Sequence, residues 1–348
     1  MVSMVVVKPS SVVFMGMVLG GVLITIMSSG VLGVWVGLEL NFFGFIPLLL
    51  GKSMSEGESC LKYFIIQVLG SGFFFLGVLL VISKAMVSVV LSVWSGVFLL
   101  CVGLFLKLGI FPFHFWFPSV VSSSSWFNLF LLSTLQKVGP LWILSGLALS
   151  VKFASVMSIL VAMTSFVGAI GGLGQVYFRS LLAYSSLVHS GWMGVLCLVS
   201  GMNFLLYLLL YSAILGGFVL SLWLSQVSYG YMLNSKAVAK ESMVFWVSVY
   251  FLSLGGLPPL LGSVLKLYSI LILSSNFLLV LGVLIFSSVI SLFYYLGMFF
   301  GFSVSGSDKV IWGFSGLMYA YCSGWKNSFI LMNVLCGIVC LMCLGILL

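Results

Sequence analysis

The sequence predicts an all-α, polytopic membrane protein. Of its 348 residues, 63% are hydrophobic and only 5% are charged, and the mean hydropathy is +1.35. Soluble domains carry about 25% charged residues, so a water-soluble fold of this size would lack a polar surface. Stretches such as residues 12–27 do not alternate apolar with polar residues, which argues against a membrane β-barrel.

Apolar stretches of about 20 residues, the length that crosses a bilayer, recur along the whole chain. Polar segments, the longest at residues 227–242, divide them into predicted transmembrane helices, and we predict no soluble domain. The eleven predicted spans are residues 11–29, 31–50, 61–82, 87–108, 126–149, 153–174, 181–200, 204–226, 243–273, 277–302 and 327–348. The polar segment 51–59, with the sequence GKSMSEGES, is predicted to be a loop.

Two segments interrupt the helical pattern, residues 106–118 and 252–266. A proline lacks an N–H group and clashes with the carbonyl four residues before it. The prolines in these segments are Pro112, Pro258 and Pro259. The second pair should free the carbonyls of Leu254 and Gly255, and a freed carbonyl at membrane depth must bind protein, water or an ion.

The positions of the two breaks predict an internal repeat. The first break follows the fourth predicted span, and the second lies in the ninth. This offset predicts two inverted five-helix repeats within a single transmembrane domain, residues 1–150 and 151–303, each with a broken helix. A C-terminal loop and helix would follow at 304–348. Paired interrupted helices in two halves point to a transport site between inverted repeats.

Four ionisable residues lie deep inside apolar stretches: Glu39, Lys107, Lys137 and Lys266. A charge near the centre of a bilayer costs from about 2.5 to more than 10 kcal/mol, and such residues often mark an ion path. Burial disfavours the charged form of a lysine, whereas a carboxylate within about 4–6 Å favours it. A Glu39–Lys107 pair that forms and separates would therefore gate a proton. The alternative is a set of buried counter-ions without a transport role.

His114 and His189 are the only histidines, and they are secondary candidates for the relay. Imidazole changes its charge near neutral pH, which suits proton transfer. His114 follows the first break, and His189 lies in the segment LLAYSSLVHSGWM. For each, the alternative is a hydrogen-bonded histidine that serves packing alone.

The sequence contains no pattern typical of a bound cofactor or metal. There is no P-loop, no G-x-G-x-x-G, no paired C-x-x-C motifs and no catalytic triad. Cys340 and Cys343 form one C-x-x-C in an apolar helix, where packing is the favoured interpretation. We therefore expect no cofactor or metal in this chain. The net charge of +8 fits lipid headgroups better than a nucleic-acid partner.

Several segments carry a family resemblance. They are WVGLELNFFGFIPLL (35–49), LKYFIIQ (61–67), KLGIFPFHFWFP (107–118), LQKVGP (135–140), GGLGQVYFRSLLAYSSLVHSGWM (171–193) and LSLGGLPPLLG (252–262). Together, and in this order, they resemble subunit 2 of the mitochondrial NADH:ubiquinone oxidoreductase, respiratory complex I. The resemblance implies an antiporter-like fold of inverted repeats with two broken helices and a proton channel.

The resemblance also implies roles for the buried charges. Glu39 resembles the family's glutamate beside the first broken helix, and Lys107 resembles the lysine of that helix. Lys137 resembles the central relay lysine, and Lys266 the lysine that leads to the exit side. The resemblance further implies a place in the mitochondrial inner membrane among other membrane-arm subunits. NADH, FMN, the iron–sulfur clusters and ubiquinone would then be used elsewhere in the complex.

Three functions are compatible with these observations. The first is a proton-translocating subunit of a redox-driven pump, with electron transfer confined to partner subunits. The second is a stand-alone cation/proton antiporter with the same fold. The third is a structural membrane subunit whose buried charges only hold helices together.

Overall fold

The described part of the chain consists of α-helices joined by short non-helical segments. The computed structural model describes residues 9–51, 53–83, 90–147, 151–175, 177–224, 241–275, 277–307 and 333–342, and these ranges contain no β-strand, which confirms the all-α prediction. The helices are α1 Pro9–Met27, α2 Val31–Leu49, α3 Met54–Ser83, α4 Val90–Leu108, α5 Trp116–Ser123, α6 Trp126–Ser133, α7 Leu135–Gly146, α8 Val151–Gly172, α9 Phe178–Val199, α10 Gly201–Leu224, α11 Glu241–Gly255, α12 Leu261–Leu273, α13 Leu278–Ser307 and α14 Asn333–Met342.

Eight helical segments among the described residues are long and apolar enough to cross a bilayer. They are α1, α2, α3, α8, α9, α10, α13 and the consecutive pair α6–α7. Within the described residues, three shorter apolar stretches also occur, at Trp94–Leu108 in α4, in α12 and in α14. The polytopic membrane class is therefore confirmed, whereas the number of eleven spans stays a prediction. The predicted span 327–348 lies largely outside the described residues, which include only α14 from it.

The span predicted at residues 126–149 is confirmed as the membrane-crossing segment Trp126–Gly146, but it contains an interruption at which α6 and α7 meet. Thr134 between them has φ −119° and ψ −81°. Its hydroxyl donates to the carbonyl of Phe130 at 2.6 Å, and the hydroxyl of Ser133 donates to the carbonyl of Leu129 at 2.8 Å. Such side-chain bonds to the preceding turn compete with the backbone and bend helices.

The loop predicted at residues 51–59 is also shorter than expected, because α3 begins at Met54. The Ser53 hydroxyl accepts the N–H of Glu56, and the Glu56 carboxylate accepts the N–H of Ser53, both at 3.3 Å. This reciprocal pair is a capping box, which satisfies two N–H groups that a helix start leaves without a backbone partner. The signal Ser-x-x-Glu is present in the sequence.

The chain divides into two compact units. Unit 1 comprises residues 1–164 and 197–201, and unit 2 comprises residues 165–196 and 202–348. In unit 1, α1 pairs with α2 and α3 pairs with α4, while α7 packs against α1, α2 and α4. In unit 2, α11 packs against α12 and α13. The predicted repeat boundaries at 150 and 303 stay predictions.

Four glycines bring the backbones of α3 and α4 into direct contact, and we call them the glycine seam: Gly70, Gly77, Gly96 and Gly103. A Cβ atom on Gly103 would lie 2.7 Å from the carbonyl oxygen of Gly70. One on Gly77 would lie 2.8 Å from the carbonyl oxygen of Gly96. Any larger residue would force these helices apart, so small residues set their spacing as they do in many membrane helix pairs.

Unit 2 is held by an aromatic cluster that joins three helices. Phe218 of α10 contacts Phe251 of α11 at a ring-centroid distance of 5.0 Å. Phe251 in turn contacts Tyr295 of α13 at 5.8 Å. These three side chains are buried. Tilted and edge-on pairs of this kind stabilise a core beyond the area that they bury. The cluster places the C-terminal part of α11 firmly against α10 and α13.

Two interruptions separate helices that would otherwise be continuous. The first break, residues 109–115, lies between α4 and α5, and the second break, residues 256–260, lies between α11 and α12. Each begins with a glycine at positive φ, 69° at Gly109 and 80° at Gly256, a conformation that other residues adopt only at a cost. Each also contains one cis peptide bond, at Phe111–Pro112 and at Pro258–Pro259.

The backbone hydrogen bonds of the two breaks follow one pattern. After the glycine, an N–H reaches back five residues, and three residues later a second N–H closes a tight turn. In the first break these bonds are Ile110 N to Phe105 O at 3.0 Å and Phe113 N to Ile110 O at 2.8 Å. In the second they are Leu257 N to Leu252 O at 3.2 Å and Leu260 N to Leu257 O at 3.0 Å. The same two bonds thus recur 147 residues apart.

Candidate functional site

An ion pair lies directly before the first break. The ammonium nitrogen of Lys107, one residue before the end of α4, is 3.4 Å from Oε1 of Glu39 in the middle of α2. The side chain of Lys107 is 3% exposed and that of Glu39 is 15% exposed. The separation lies within the range that the gating hypothesis requires.

Side chains satisfy the carbonyls that the end of α4 leaves without a helical partner. Gln67 of α3 donates from Nε2 to the carbonyl of Lys107 at 3.2 Å. Trp116, the first residue of α5, donates from Nε1 to the carbonyl of Leu106 at 3.1 Å. The first break is therefore closed by protein donors, as freed carbonyls in an apolar setting require. Sequence reasoning did not assign a role to Gln67.

Lys137 lies in the first turn of α7, just after the interruption at Thr134. It is 2% exposed, and its ammonium nitrogen lies 5.0 Å from the ring centroid of Phe117 in α5. A cation over an aromatic face is stabilised by about 0.5–2 kcal/mol, more when both are shielded from water. Because Phe117 follows the first break, that break contributes to the surroundings of two of the predicted site lysines.

A chain of three polar side chains links α2, α3 and α7 beside these lysines. The Tyr63 hydroxyl donates to Oε1 of Gln136 at 3.0 Å, and Nε2 of Gln136 donates to Oδ1 of Asn41 at 2.8 Å. Asn41 lies two residues after Glu39, and Gln136 directly precedes Lys137. Sequence reasoning missed Asn41 and Tyr63. A polar amide inside the apolar span of α2 was the available signal for Asn41.

Lys266 lies in α12, and its side chain reaches back across the second break. Its ammonium nitrogen donates to the carbonyl of Gly255, the last residue of α11, at 2.6 Å. In a continuous helix this carbonyl would accept the N–H of the residue four positions later. That residue is Pro259, which has no N–H. A lysine thus takes the place of the missing backbone donor.

The two histidines have different surroundings. His114 is buried in the first break with its ring 4.0 Å from that of Phe115, and its Nδ1 has no hydrogen-bond partner among the described residues. His189 is buried in α9, where its Nδ1 is 2.9 Å from the hydroxyl of Tyr207 and its ring is 4.6 Å from that of Tyr211. His189 therefore belongs to a hydrogen-bonded cluster, a property that both of its proposed roles require.

The predicted site residues thus divide between the two units. Glu39, Lys107, Lys137 and His114 lie in unit 1, where the first three surround the first break and the start of α7. His189 and Lys266 lie in unit 2. Chemically, the arrangement offers acceptors and donors of protons in apolar surroundings. Within the described ranges, no three histidine, cysteine or acidic side chains come together as a metal site would need. Cys343 lies outside those ranges.

Comparisons with known proteins agree with this architecture. Residues 28–291 match the family model described as NADH:quinone oxidoreductase/Mrp antiporter, TM. The NADH-ubiquinone oxidoreductase chain 2 of Locusta migratoria is 32% identical over 308 residues, which cover 86% of this chain and 87% of the relative.

Solved structures give the same result for the fold. A chain of the respiratory complex I from Thermus thermophilus superposes with a TM-score of 0.74 and 26% identity, over 84% of this chain and 70% of that one. A chain of the Mrp complex from a Dietzia species has a TM-score of 0.72 at 18% identity, over 83% and 59% of the two chains, and so shares the fold. This chain belongs to the NADH:quinone oxidoreductase/Mrp antiporter transmembrane family, with the relatives named NADH-ubiquinone oxidoreductase chain 2.

Proposed function

We propose that this chain is a membrane-arm subunit of a respiratory NADH:ubiquinone oxidoreductase and that it translocates protons. Its relay consists of Glu39, Lys107, Lys137 and Lys266, with His114 and His189 as secondary members. The observation that carries the proposal is the Glu39–Lys107 pair, 3.4 Å apart inside an apolar fold at the first helix break.

The chemistry of this pair suits a gate. While the two side chains are in contact, the carboxylate stabilises the ammonium, and both charges are tolerated at depth. When they separate, each charge loses its partner, and the energetic cost falls on the charged forms. Lys107 then releases its proton, and Glu39 takes one up. Formation and separation of one contact would thereby move a proton without any change in the fold.

Lys137 continues the path in unit 1. Its position over the ring of Phe117 stabilises the protonated amine. Phe117 lies in α5, so a movement at the first break alters the surroundings of Lys107 and Lys137 together. The hydrogen-bonded chain from Tyr63 through Gln136 to Asn41 ties α7 to α2, which carries Glu39. This connection supports a relay in which contact or separation of Glu39 and Lys107 changes the surroundings of Lys137.

Unit 2 supplies the second part of the proposed path. Lys266 donates to a backbone carbonyl at the second break, and His189 bonds to Tyr207. The matching hydrogen-bond pattern of the two breaks supports the proposal that residues 1–150 and 151–303 are inverted repeats. Residues 304–348 then follow as a C-terminal loop and helix, which makes eleven spans in all.

The proposed role assigns electron transfer to partner subunits. NADH, FMN, iron–sulfur clusters and ubiquinone would be bound there, and this chain would hold no cofactor. The name of the Locusta migratoria relative and the likeness to a chain of a complex I structure support this assignment. We place the chain in the mitochondrial inner membrane, in contact with lipid and with other membrane-arm subunits, and without a nucleic-acid partner.

The antiporter alternative is favoured by one observation, the shared fold of the Mrp complex chain. Sodium-driven proton flux through the purified chain in vesicles would support it, and its absence would favour the pump. The structural alternative makes the opposite prediction for the lysines, since it requires no proton to pass through them.

Replacement of Lys137 by Met distinguishes the proton-translocating function from the structural function. We expect Lys137→Met to lower the number of protons moved per electron in the assembled complex, measured in vesicles with NADH as the donor. Lys62→Met is the matched control, because Lys62 is an exposed lysine on α3 and should leave the ratio unchanged. A normal ratio in the Lys137 variant would refute the relay and support the structural function.

A further inference from the structure

Helix α14 packs directly on the second break. Its first residue, Asn333, is 4% exposed, although α14 is otherwise largely exposed along one side. The side-chain oxygen of Asn333 accepts two hydrogen bonds, from the N–H of Leu261 and from the hydroxyl of Ser253, both at 3.2 Å. Ser253 belongs to α11, and Leu261 is the first residue of α12. One oxygen atom therefore joins the two halves of the broken helix.

The bond to Leu261 supplies what the local sequence lacks. The first N–H groups of any helix have no backbone acceptor and are usually met by the side chain of the N-cap residue. The N-cap residue of α12 is Leu260, whose side chain has no acceptor, and no side-chain cap is formed. Asn333 performs this capping role from a separate helix, 72 residues further along the chain.

A glycine one turn later allows this close approach. A Cβ atom on Gly337 would lie 2.9 Å from the carbonyl carbon of Leu260 and 3.0 Å from the nitrogen of Leu261, and still closer to the carbonyl oxygen of Pro259. The backbone of α14 thus lies against the backbone of the second break itself. This contact is independent of the Asn333 hydrogen bonds and involves the same few residues.

Lys266 depends on the position of the helix that is capped in this way. It lies in the second turn of α12 and reaches back to the carbonyl of Gly255 at 2.6 Å. Its side chain also covers Gly256, where an added Cβ would lie 2.8 Å from Cδ and Cε of the lysine. A small shift of the start of α12 relative to α11 would break this contact.

We propose that α14 is a clamp on the second break and that Asn333 is a positioning residue for Lys266. Asn333 holds the first turn of α12 against the end of α11. Gly337, which has no side chain, allows the backbone of α14 to lie directly against the second break. The clamp itself stands on these contacts alone, whereas its effect on proton transfer rests on the proposed function of Lys266.

The clamp is tested by hydrogen exchange in the intact complex. We expect Asn333→Leu to speed exchange in peptides that cover residues 261–264 by roughly five- to tenfold, the effect of losing a buried hydrogen bond. Asn333→Asp keeps the side-chain oxygen and should hold exchange near the unmodified rate. Unchanged exchange in the Leu variant, or equal exchange in the two variants, would overturn the proposal.

A glycine pair provides a matched control that does not depend on Asn333. Gly337→Ala should speed exchange in the same peptides, because the added Cβ meets the break. Gly282→Ala on α13 should not, because a Cβ at Gly282 meets no atom within 4 Å. Should the Asn333→Leu complex fail to assemble, this pair decides the matter, and equal exchange in both glycine variants would refute the clamp.

The transport readout separates the clamp from the proposed function. We expect Asn333→Leu to lower the number of protons moved per electron. Asn333→Asp should leave this number close to that of the unmodified complex. If Lys266→Met leaves this number unchanged, the relay role of Lys266 fails, while the exchange data still decide whether α14 clamps the break. Faster exchange together with an unaltered proton number in Asn333→Leu would contradict the positioning role alone.

Discussion

The two helix breaks share a backbone geometry but differ in what their lysines contact. At the first break, Lys107 contacts a carboxylate, Glu39, at 3.4 Å. At the second, Lys266 contacts a backbone carbonyl, that of Gly255, at 2.6 Å. A carboxylate can take up a proton, whereas a peptide carbonyl is only a dipole. The same local architecture thus supports two kinds of lysine, one paired with a charge and one held by a dipole.

This difference predicts how each break responds to loss of charge. If Lys107 becomes neutral, the half-buried carboxylate of Glu39 loses its partner, so the protonation state of one residue constrains that of the other. If Lys266 becomes neutral, the Gly255 carbonyl loses a donor but leaves no ion behind. Loss of the lysine charge is therefore expected to destabilise the structure around the first break more than the structure around the second.

The largest effect is expected for Glu39→Gln at the first break. It removes the partner of a buried charge, which costs about 3–5 kcal/mol of stability. We expect poor assembly of the complex and little proton transfer, measured by native electrophoresis and by proton uptake. The double variant Glu39→Gln with Lys107→Met should regain assembly without regaining transport, because it leaves no uncompensated charge. Failure of the double variant to assemble would contradict the ion-pair explanation.

A smaller effect on stability is expected for Lys266→Met at the second break. The variant deprives the Gly255 carbonyl of its donor, and an unsatisfied buried group costs about 1–3 kcal/mol. Assembly should therefore be nearly normal while the proton number falls, which thermal unfolding and proton uptake would separate. A loss of stability as large as that of Glu39→Gln would remove the distinction between the two breaks.

The positive-φ glycines allow the backbones of the breaks to be compared directly. Gly109→Ala and Gly256→Ala both place a Cβ in the left-handed region, at about 1–2 kcal/mol each. At Gly109 the new Cβ lies 3.3 Å from Cβ of Phe117, whereas at Gly256 it meets the Lys266 side chain at 2.8 Å. We expect similar losses in melting temperature but a larger loss of proton transfer for Gly256→Ala. The reverse order would show that Lys266 is not held at the break.

The smallest effect is expected for Gln67→Leu, which uncaps the carbonyl of Lys107. One hydrogen bond contributes about 0.5–1.5 kcal/mol, and Trp116 still caps the neighbouring carbonyl of Leu106. The melting temperature should fall slightly, and transport should remain close to normal. Leu69→Ala, which alters an exposed residue on the same helix, is the control. A loss of transport equal to that of Lys266→Met would show that the carbonyl caps control the relay.

Much of the fold follows from local chemistry that is visible in the sequence. Charged residues are so costly in apolar helices that each one is easily recognised in the sequence. The structure brings two of them, Glu39 and Lys107, into contact. Proline and glycine act over a few residues, so the ends of α4 and α11 follow from Pro112 and Pro259. The class of fold needs only the density of apolar residues over each span.

Other parts depend on partners that are distant in sequence. Gln67 bonds to a carbonyl 40 residues away, and Gln136 bonds to an amide 95 residues away. Polar uncharged residues are frequent in these spans, and the sequence does not indicate which of them will meet. The interruption at Thr134 was missed for a related reason, since a hydroxyl that bends one helix is harmless in another. The capping of α12 by Asn333 depends on α14 docking against a distant segment.

The glycine seam between α3 and α4 has an electrical consequence. At Gly70 a Cβ would lie 2.9 Å from Cγ of Lys107, so the backbone of α3 lies directly against the stem of that lysine. Backbone in direct contact leaves no thread of solvent between the two helices. The seam therefore excludes water from one flank of the Glu39–Lys107 pair, and under the proposed function it would prevent a proton leak there. A larger residue at Gly70 or Gly103 would separate α3 from α4 beside Lys107.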